Sequence, residues 1–76
     1  MFVVRDVDKL KQVGFKEYKA GYSRQLVGNE FQFLDVDFKD LVVKKVKFVE
    51  DHFESELATE QDLKDLIKQE IVIEKL

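Results

Sequence analysis

Residues 22 to 49 fall into three successive β-prone runs separated by two turn signals, and this confines the stretch to an antiparallel meander. Tyr22 to Val27 runs into Gly28-Asn29, a dipeptide that supplies the positive φ a two-residue hairpin loop needs. Glu30 to Asp37 follows, then a polar turn around Lys39-Asp40, then Leu41 to Val49. With two residues in each loop, counting fixes the register. Leu26 then opposes Phe31, Arg24 opposes Phe33, Phe31 opposes Phe48, Phe33 opposes Val46, and Asp35 opposes Lys44. Because side chains alternate across a strand, all of these share one face. The expectation is a sheet whose core face carries Phe31, Phe33 and Phe48.

The flanks read as short elements. Met1 to Val4 is β-prone and suits an edge strand. Asp6 can cap a helix in which Val7, Leu10 and Val13 form one stripe. Gly14 stands where a helix ends in the left-handed conformation, with Phe15 folding back on Leu10. Phe15 to Ala20 reads either as an extended segment or as a short strand. Glu50 to Leu57 reads as an acidic connection. Thr59 is a good N-cap, with Asp62 three positions on in an approximate capping box. Leu63, Leu66 and Ile67 then give a second helix one apolar stripe. The β-branched run Ile71 to Ile73 disfavours helix and reads as a terminal strand on a sheet edge, with a continuing helix as the alternative. The fold expected is α+β, a single domain over 1–76. It is a three-stranded antiparallel meander, open to extension by terminal strands, packed with two short helices whose Leu10, Leu63, Leu66 and Ile67 join the phenylalanines in the core.

Such a chain of 76 residues buries roughly 60% of its unfolded surface, so it has little to spare for a second layer on both sheet faces. With 45% hydrophobic and 38% charged residues it is expected to fold rather than stay disordered. It has no cysteine, which removes disulfides, thiol catalysis and thiolate zinc sites and suits a reducing compartment. No apolar run is long enough to span a bilayer, and the start, Met1 to Asp6, lacks a basic segment followed by an apolar one. A cytoplasmic protein without membrane contact is expected. The net charge of −3 is unevenly spread: residues 1 to 49 carry +3 and residues 50 to 76 carry −6. A split of this kind can steer a partner.

Signs of chemistry are sparse. Asp35, Asp37 and Asp40 resemble the start of a calcium loop. The run lacks the glycine and the distal glutamate that such loops require, and Lys44 stands opposite Asp35 in the counted register. His52 is the only histidine, and Glu50, Asp51, Glu54 and Glu56 around it favour its protonated form over a poised base. Ser23, Ser55 and Thr59 stand in no nucleophile elbow, and no phosphate-binding glycine motif occurs. The expectation is a protein that is not an enzyme and takes no cofactor or metal.

What remains is the far face of the sheet, where counting places Val27, Leu34, Val36, Val43 and Val49 with Gln25, Gln32, Lys45 and Lys47. An apolar patch with a polar rim has the composition of an interface. The partner-binding residues expected are Leu34, Val36, Val43, Lys45 and Lys47. Burial of the same patch beneath a helix is the competing arrangement. The sequence of features also resembles small acidic proteins of unassigned activity encoded by phages and mobile elements of Gram-positive bacteria. That resemblance rests on the capped helix ending in Val13-Gly14-Phe15-Lys16, the meander, and Leu63, Leu66 and Ile67 followed by Ile71-Val72-Ile73-Glu74. Some such proteins bind and block host machinery. The function expected is therefore a small non-catalytic protein-interaction module using a sheet face, with another protein or a second copy as partner. The alternative is a nucleic-acid-binding accessory protein using Lys44, Lys45 and Lys47.

Overall fold

A computed structural model of the chain describes residues 1–26, 28 and 31–76. Its centre is a five-stranded antiparallel sheet in the order β2-β3-β4-β5-β6, in which β2 is Lys16–Tyr18, β3 Gly21–Gln25, β4 Gln32–Asp37, β5 Val43–Val49 and β6 His52–Leu57. The α+β class expected from the sequence is correct, but the three-stranded meander is too small. Lys16–Tyr18 adds a strand at one edge, and the presumed acidic connection adds β6 at the other. The β5–β6 hairpin closes on Glu50 (φ 47°) and Asp51 (φ 68°), both left-handed as a tight hairpin loop demands. A second, two-stranded sheet pairs β1 (Phe2–Val4) with β7 (Val72–Glu74), so the terminal strands pair with each other rather than each with an edge of the main sheet. One bridge, Val3 to Val42, and the Val4 N–H to Leu41 carbonyl bond (2.9 Å) tie this ribbon to the start of β5.

The two hairpins of the meander differ in how well counting serves them. Between β4 and β5, Phe33 faces Val46 and Asp35 faces Lys44, as counted. Between β3 and β4 the ladder is shifted by one. Arg24 faces Leu34 and Gln25 faces Phe33, which places an odd number of residues between the paired ends. The proposed loop residue Asn29 lies outside the described residues, as does Val27 of the expected far face. A one-residue shift moves every side chain of β3 to the other side of its neighbour. Tyr22 and Arg24 therefore join Val36, Leu34 and Val43, not the phenylalanines.

That side is the core. Leu34, Val36 and Val43, expected as a partner-binding patch, have no solvent exposure and pack with Leu10, Phe15, Leu63, Leu66 and Ile71. Conversely, Phe31 and Phe48, expected inside, are 55% and 41% exposed. Phe33 is only partly buried. Charge type, not charge count, separates the faces: the core side carries Arg24, Lys45 and Lys47, whose long stems reach Asp65, Glu56 and Asp62 at its margin, whereas the other side carries short carboxylates. Beyond Phe31 and Phe33 the phenylalanine side of β4 continues into Asp35 and Asp37, and β5 adds Lys44 there, so covering it would desolvate charges. On the other side Tyr22, Leu34, Val36 and Val43 adjoin without interruption. Lys45 and Lys47, on that same side, lie at its margin, where they pair with Glu56 and Asp62.

Two short helices complete the core layer. In α1 (Val7–Gln12) the Asp6 carboxylate accepts from the Lys9 N–H, and Gly14 (φ 102°) lets the Phe15 N–H return to the Leu10 carbonyl. Both ends match the sequence reading. The second helix begins as a 3-10 turn, Gln61–Leu63, and continues as α2, Lys64–Lys68. Thr59 and Asp62 form the expected capping box. The Asp62 carboxylate accepts from the Thr59 N–H (2.9 Å) and hydroxyl (3.0 Å), and the Thr59 hydroxyl accepts from the Asp62 N–H (3.3 Å). No helix among the described residues is long and apolar enough to cross a membrane.

Candidate functional site

The side of the sheet turned away from both helices carries Phe33 from β4, Val46 and Phe48 from β5, and Phe53 and Leu57 from β6, with the Phe31 carbonyl just before β4 accepting from the Phe48 N–H (2.9 Å). Alternation puts them there. On β6 the order Phe53, Ser55, Leu57 occupies one face and His52, Glu54, Glu56 the other. Phe48 and Phe53 lie directly across the ladder with ring centroids 5.1 Å apart, and Phe33 meets Phe53 edge-on at 6.0 Å. Phe53 is 65% exposed and Leu57 51%. Aromatic rings held in mutual contact yet open to water form an apolar patch of the kind that marks an interaction site.

A polar rim borders the patch. A shallow groove of about 390 Å³ runs between Tyr18, Ser23, Phe33, Asp35, Val46 and Phe53. At its end the Tyr18 hydroxyl donates to the Asp35 carboxylate (2.5 Å). That hydrogen bond, with partial burial and the charges of Asp35 and Asp37, pushes the Tyr18 pKa up to about 12. Tyr18 is thus a neutral donor, locked in place at neutral pH.

The other candidates disperse. Asp37 accepts from the Lys39 N–H (2.8 Å) and Asp40 from the Val42 N–H (2.9 Å), so each carboxylate of the presumed calcium-like run is turned to local backbone or to Tyr18. Among the described residues no three histidine, aspartate or glutamate side chains converge in a way that could hold a metal ion. His52 is exposed on β6, with Nε2 3.1 Å from Glu54 Oε2 and Nδ1 3.3 Å from the Glu50 carbonyl. These contacts raise its pKa above the ordinary value.

The three lysines split as their alternation requires. Lys44 lies on the aromatic side, whereas Lys45 and Lys47 lie on the core side. Lys45 Nζ sits 3.5 Å from both Glu56 and Asp62, and Lys47 Nζ sits 3.5 Å from Glu56. Burial opposes ionisation of Asp62, but the Thr59 amide and hydroxyl and the Lys45 ammonium outweigh it and hold the carboxyl below its ordinary pKa. Lys45 thereby clips β6 to the second helix. A converging cationic stripe for a phosphate backbone does not form from these three residues.

Phe48, expected in the core, lies at the surface, and Phe53, expected in an acidic connection, lies on a strand. The signal was present in the strict alternation of Phe53, Ser55 and Leu57 with His52, Glu54 and Glu56, which marks residues 52 to 57 as a strand. Comparison of the chain with protein-family models, with curated proteins and with solved structures gives no significant match.

Proposed function

We propose that the chain is a small non-catalytic protein-interaction module that binds through the aromatic face of its sheet, with Phe33, Phe48 and Phe53 as the centre of contact. The observation that carries this reading is the Phe33–Phe53–Phe48 cluster, packed ring against ring on the side the helices leave open. Interfaces are enriched in aromatic anchors surrounded by a polar rim, and Tyr18, Asp35, Lys44 and Ser55 supply that rim here. The absence of cysteine suits work in the cytoplasm. The resemblance to small phage and mobile-element proteins of unassigned activity, some of which bind and block host machinery, adds weight to protein binding.

The test is a Phe48→Ser, Phe53→Ser double variant compared with the native chain by circular dichroism, sedimentation and quantitative capture from cell extract. The folded variant should lose the captured proteins, or shift from dimer to monomer where the native chain self-associates. Unchanged capture and unchanged sedimentation would overturn the reading. Labelled single- and double-stranded DNA, titrated at two ionic strengths, addresses the nucleic-acid alternative, which demands a steep loss of affinity with salt.

A further inference from the structure

Strand β6 ends the sheet, and its outer edge has no strand beside it among the described residues. In an antiparallel ladder, bonded and non-bonded pairs alternate along the strand. The Ala58 N–H donates to the Val43 carbonyl (3.2 Å), so the even-numbered residues His52, Glu54 and Glu56 turn their backbone groups toward β5. Phe53, Ser55 and Leu57 turn theirs outward. The side chains of these three residues lie on the aromatic face. Edge hydrogen bonding and the aromatic patch are therefore presented together.

The opposite side of β6 is acidic in composition, with His52 3.1 Å from Glu54 and the lysines of β5 3.5 Å from Glu56 on its inner flank. Lys47 faces Glu54 and Lys45 faces Glu56 across the ladder, so each cross-strand charge pair ends on an anion at the open edge. Residues 50 to 62 hold six acidic side chains and no lysine or arginine. A second copy of the chain is disfavoured in the register that matches the most apolar surface. That two-fold register pairs Phe53 with Leu57 and sets Glu54 against Glu56 of the other copy on both sides of the axis; the register centred on Glu54 sets it against itself, though it brings His52 opposite Glu56. Like charges directly opposite destabilise a strand pair. A strand carrying cations at those positions continues the alternation of sign instead.

We propose that the outer edge of β6 takes up an extended segment of a partner protein whose side chains alternate apolar and basic, the apolar ones joining Phe53 and Leu57 and the basic ones facing Glu54 and Glu56. The proposal rests on the protein-binding reading above and specifies its partner. Added-strand recognition draws affinity from main-chain hydrogen bonds and specificity from alternate side chains, and β6 offers both.

The test uses the full chain and a capped heptapeptide alternating lysine and valine, followed by amide exchange and nuclear magnetic resonance titration. At saturating peptide, exchange at the Phe53, Ser55 and Leu57 amides should slow by roughly tenfold or more. Raising the salt should weaken binding, and a glutamate–valine peptide should give no protection. Ser55→Pro removes an outward N–H without breaking the β5 ladder and should abolish binding in a folded chain. Should that variant not fold, a peptide N-methylated at the amides facing β6 makes the same test from the other partner. Absence of binding at millimolar peptide, equal binding of the N-methylated peptide, or binding without edge protection would each overturn the proposal. A peptide that perturbs only the Phe33 and Phe48 rings sinks edge addition and keeps the aromatic-face reading. Failure of that reading appears separately, as unchanged capture by the Phe48→Ser, Phe53→Ser variant.

Discussion

Phe48 and Phe53 meet across the β5–β6 ladder at 5.1 Å between ring centroids, and both remain open to solvent. Their contact stabilises the hairpin but closes no cavity. Phe53→Ser should therefore cost about 1 kcal/mol, the scale of an exposed aromatic pair. Leu34→Ala, on the opposite face with no exposure, should cost ~2–5 kcal/mol because the helices cannot collapse fully onto the space it leaves. Val36→Lys should prevent folding by placing a charge in the same layer. Urea denaturation of the first two and circular dichroism of the third check this ranking. A Phe53 variant as damaging as the Leu34 variant would show that the aromatic face is a second core.

The residue-level outcome of the sequence reading turns on Arg24 and Leu34. Local chemistry was fully legible: the Asp6 cap, the Gly14 terminus with Phe15 folded on Leu10, and the Thr59–Asp62 box depend on neighbours within a few positions. The β4–β5 register was also legible from its turn. The β3–β4 register was not, because a count of loop residues decides it and one residue inverts the result. Both faces of β4 and β5 carry enough apolar side chains to pass for core. The decision between them lies in the short carboxylates Asp35 and Asp37, which cannot reach out of a covered layer as the long stems of Arg24 and Lys45 do on the core side. The exposed site was hidden for the same reason, since the face that gathers Phe31, Phe33 and Phe48 passes for core. Strand β6 was obscured by its acidic composition, although its alternation was intact.

Gly21 and Gly28 make a second contrast. A Cβ at Gly21 would lie 1.9 Å from the Val36 carbonyl oxygen, within the β3–β4 ladder, where backbone cannot step aside. Gly21→Ala should cost at least about 2 kcal/mol through overpacking. At Gly28 a Cβ meets nothing within 4 Å, but φ is +79°. Gly28→Ala should therefore cost about 1 kcal/mol, from backbone conformation alone. Thermal unfolding of both variants separates the two causes, and equal losses would contradict the close approach at Gly21.

The Thr59–Asp62 box gives a third expectation. Thr59→Ala removes the hydroxyl that both donates to and accepts from Asp62 and should cost about 1 kcal/mol. Asp62 has its folded pKa lowered, so its contribution is present above the ordinary carboxylate range and is lost as pH falls through the folded value. The stability difference between native chain and Asp62→Asn should accordingly shrink in acid. A difference that stays constant down to low pH would remove the linkage.

Tyr18 reports on the alkaline side. Its phenol is the donor to Asp35, and ionisation would break that bond and set an anion beside Asp35 and Asp37. The folded pKa of about 12 stands above the ordinary 10.0. A group raised in this way contributes stability that is complete below the ordinary value and disappears as pH rises through the folded one, which here means the interval from 10 to about 12. Tyrosinate absorbance in a Tyr22→Phe background isolates Tyr18. Its titration should lie well above that of a free tyrosine, and Asp35→Ala should bring it back down, because both the acceptor and the nearest negative charge are removed. The same substitution should leave the aromatic cluster at Phe33, Phe48 and Phe53 in place, since none of the three contacts the phenol–carboxylate pair through a hydrogen bond. A Tyr18 midpoint indifferent to Asp35→Ala would mean that this corner of the rim is not the fixed hydrogen-bonded boundary assigned to it.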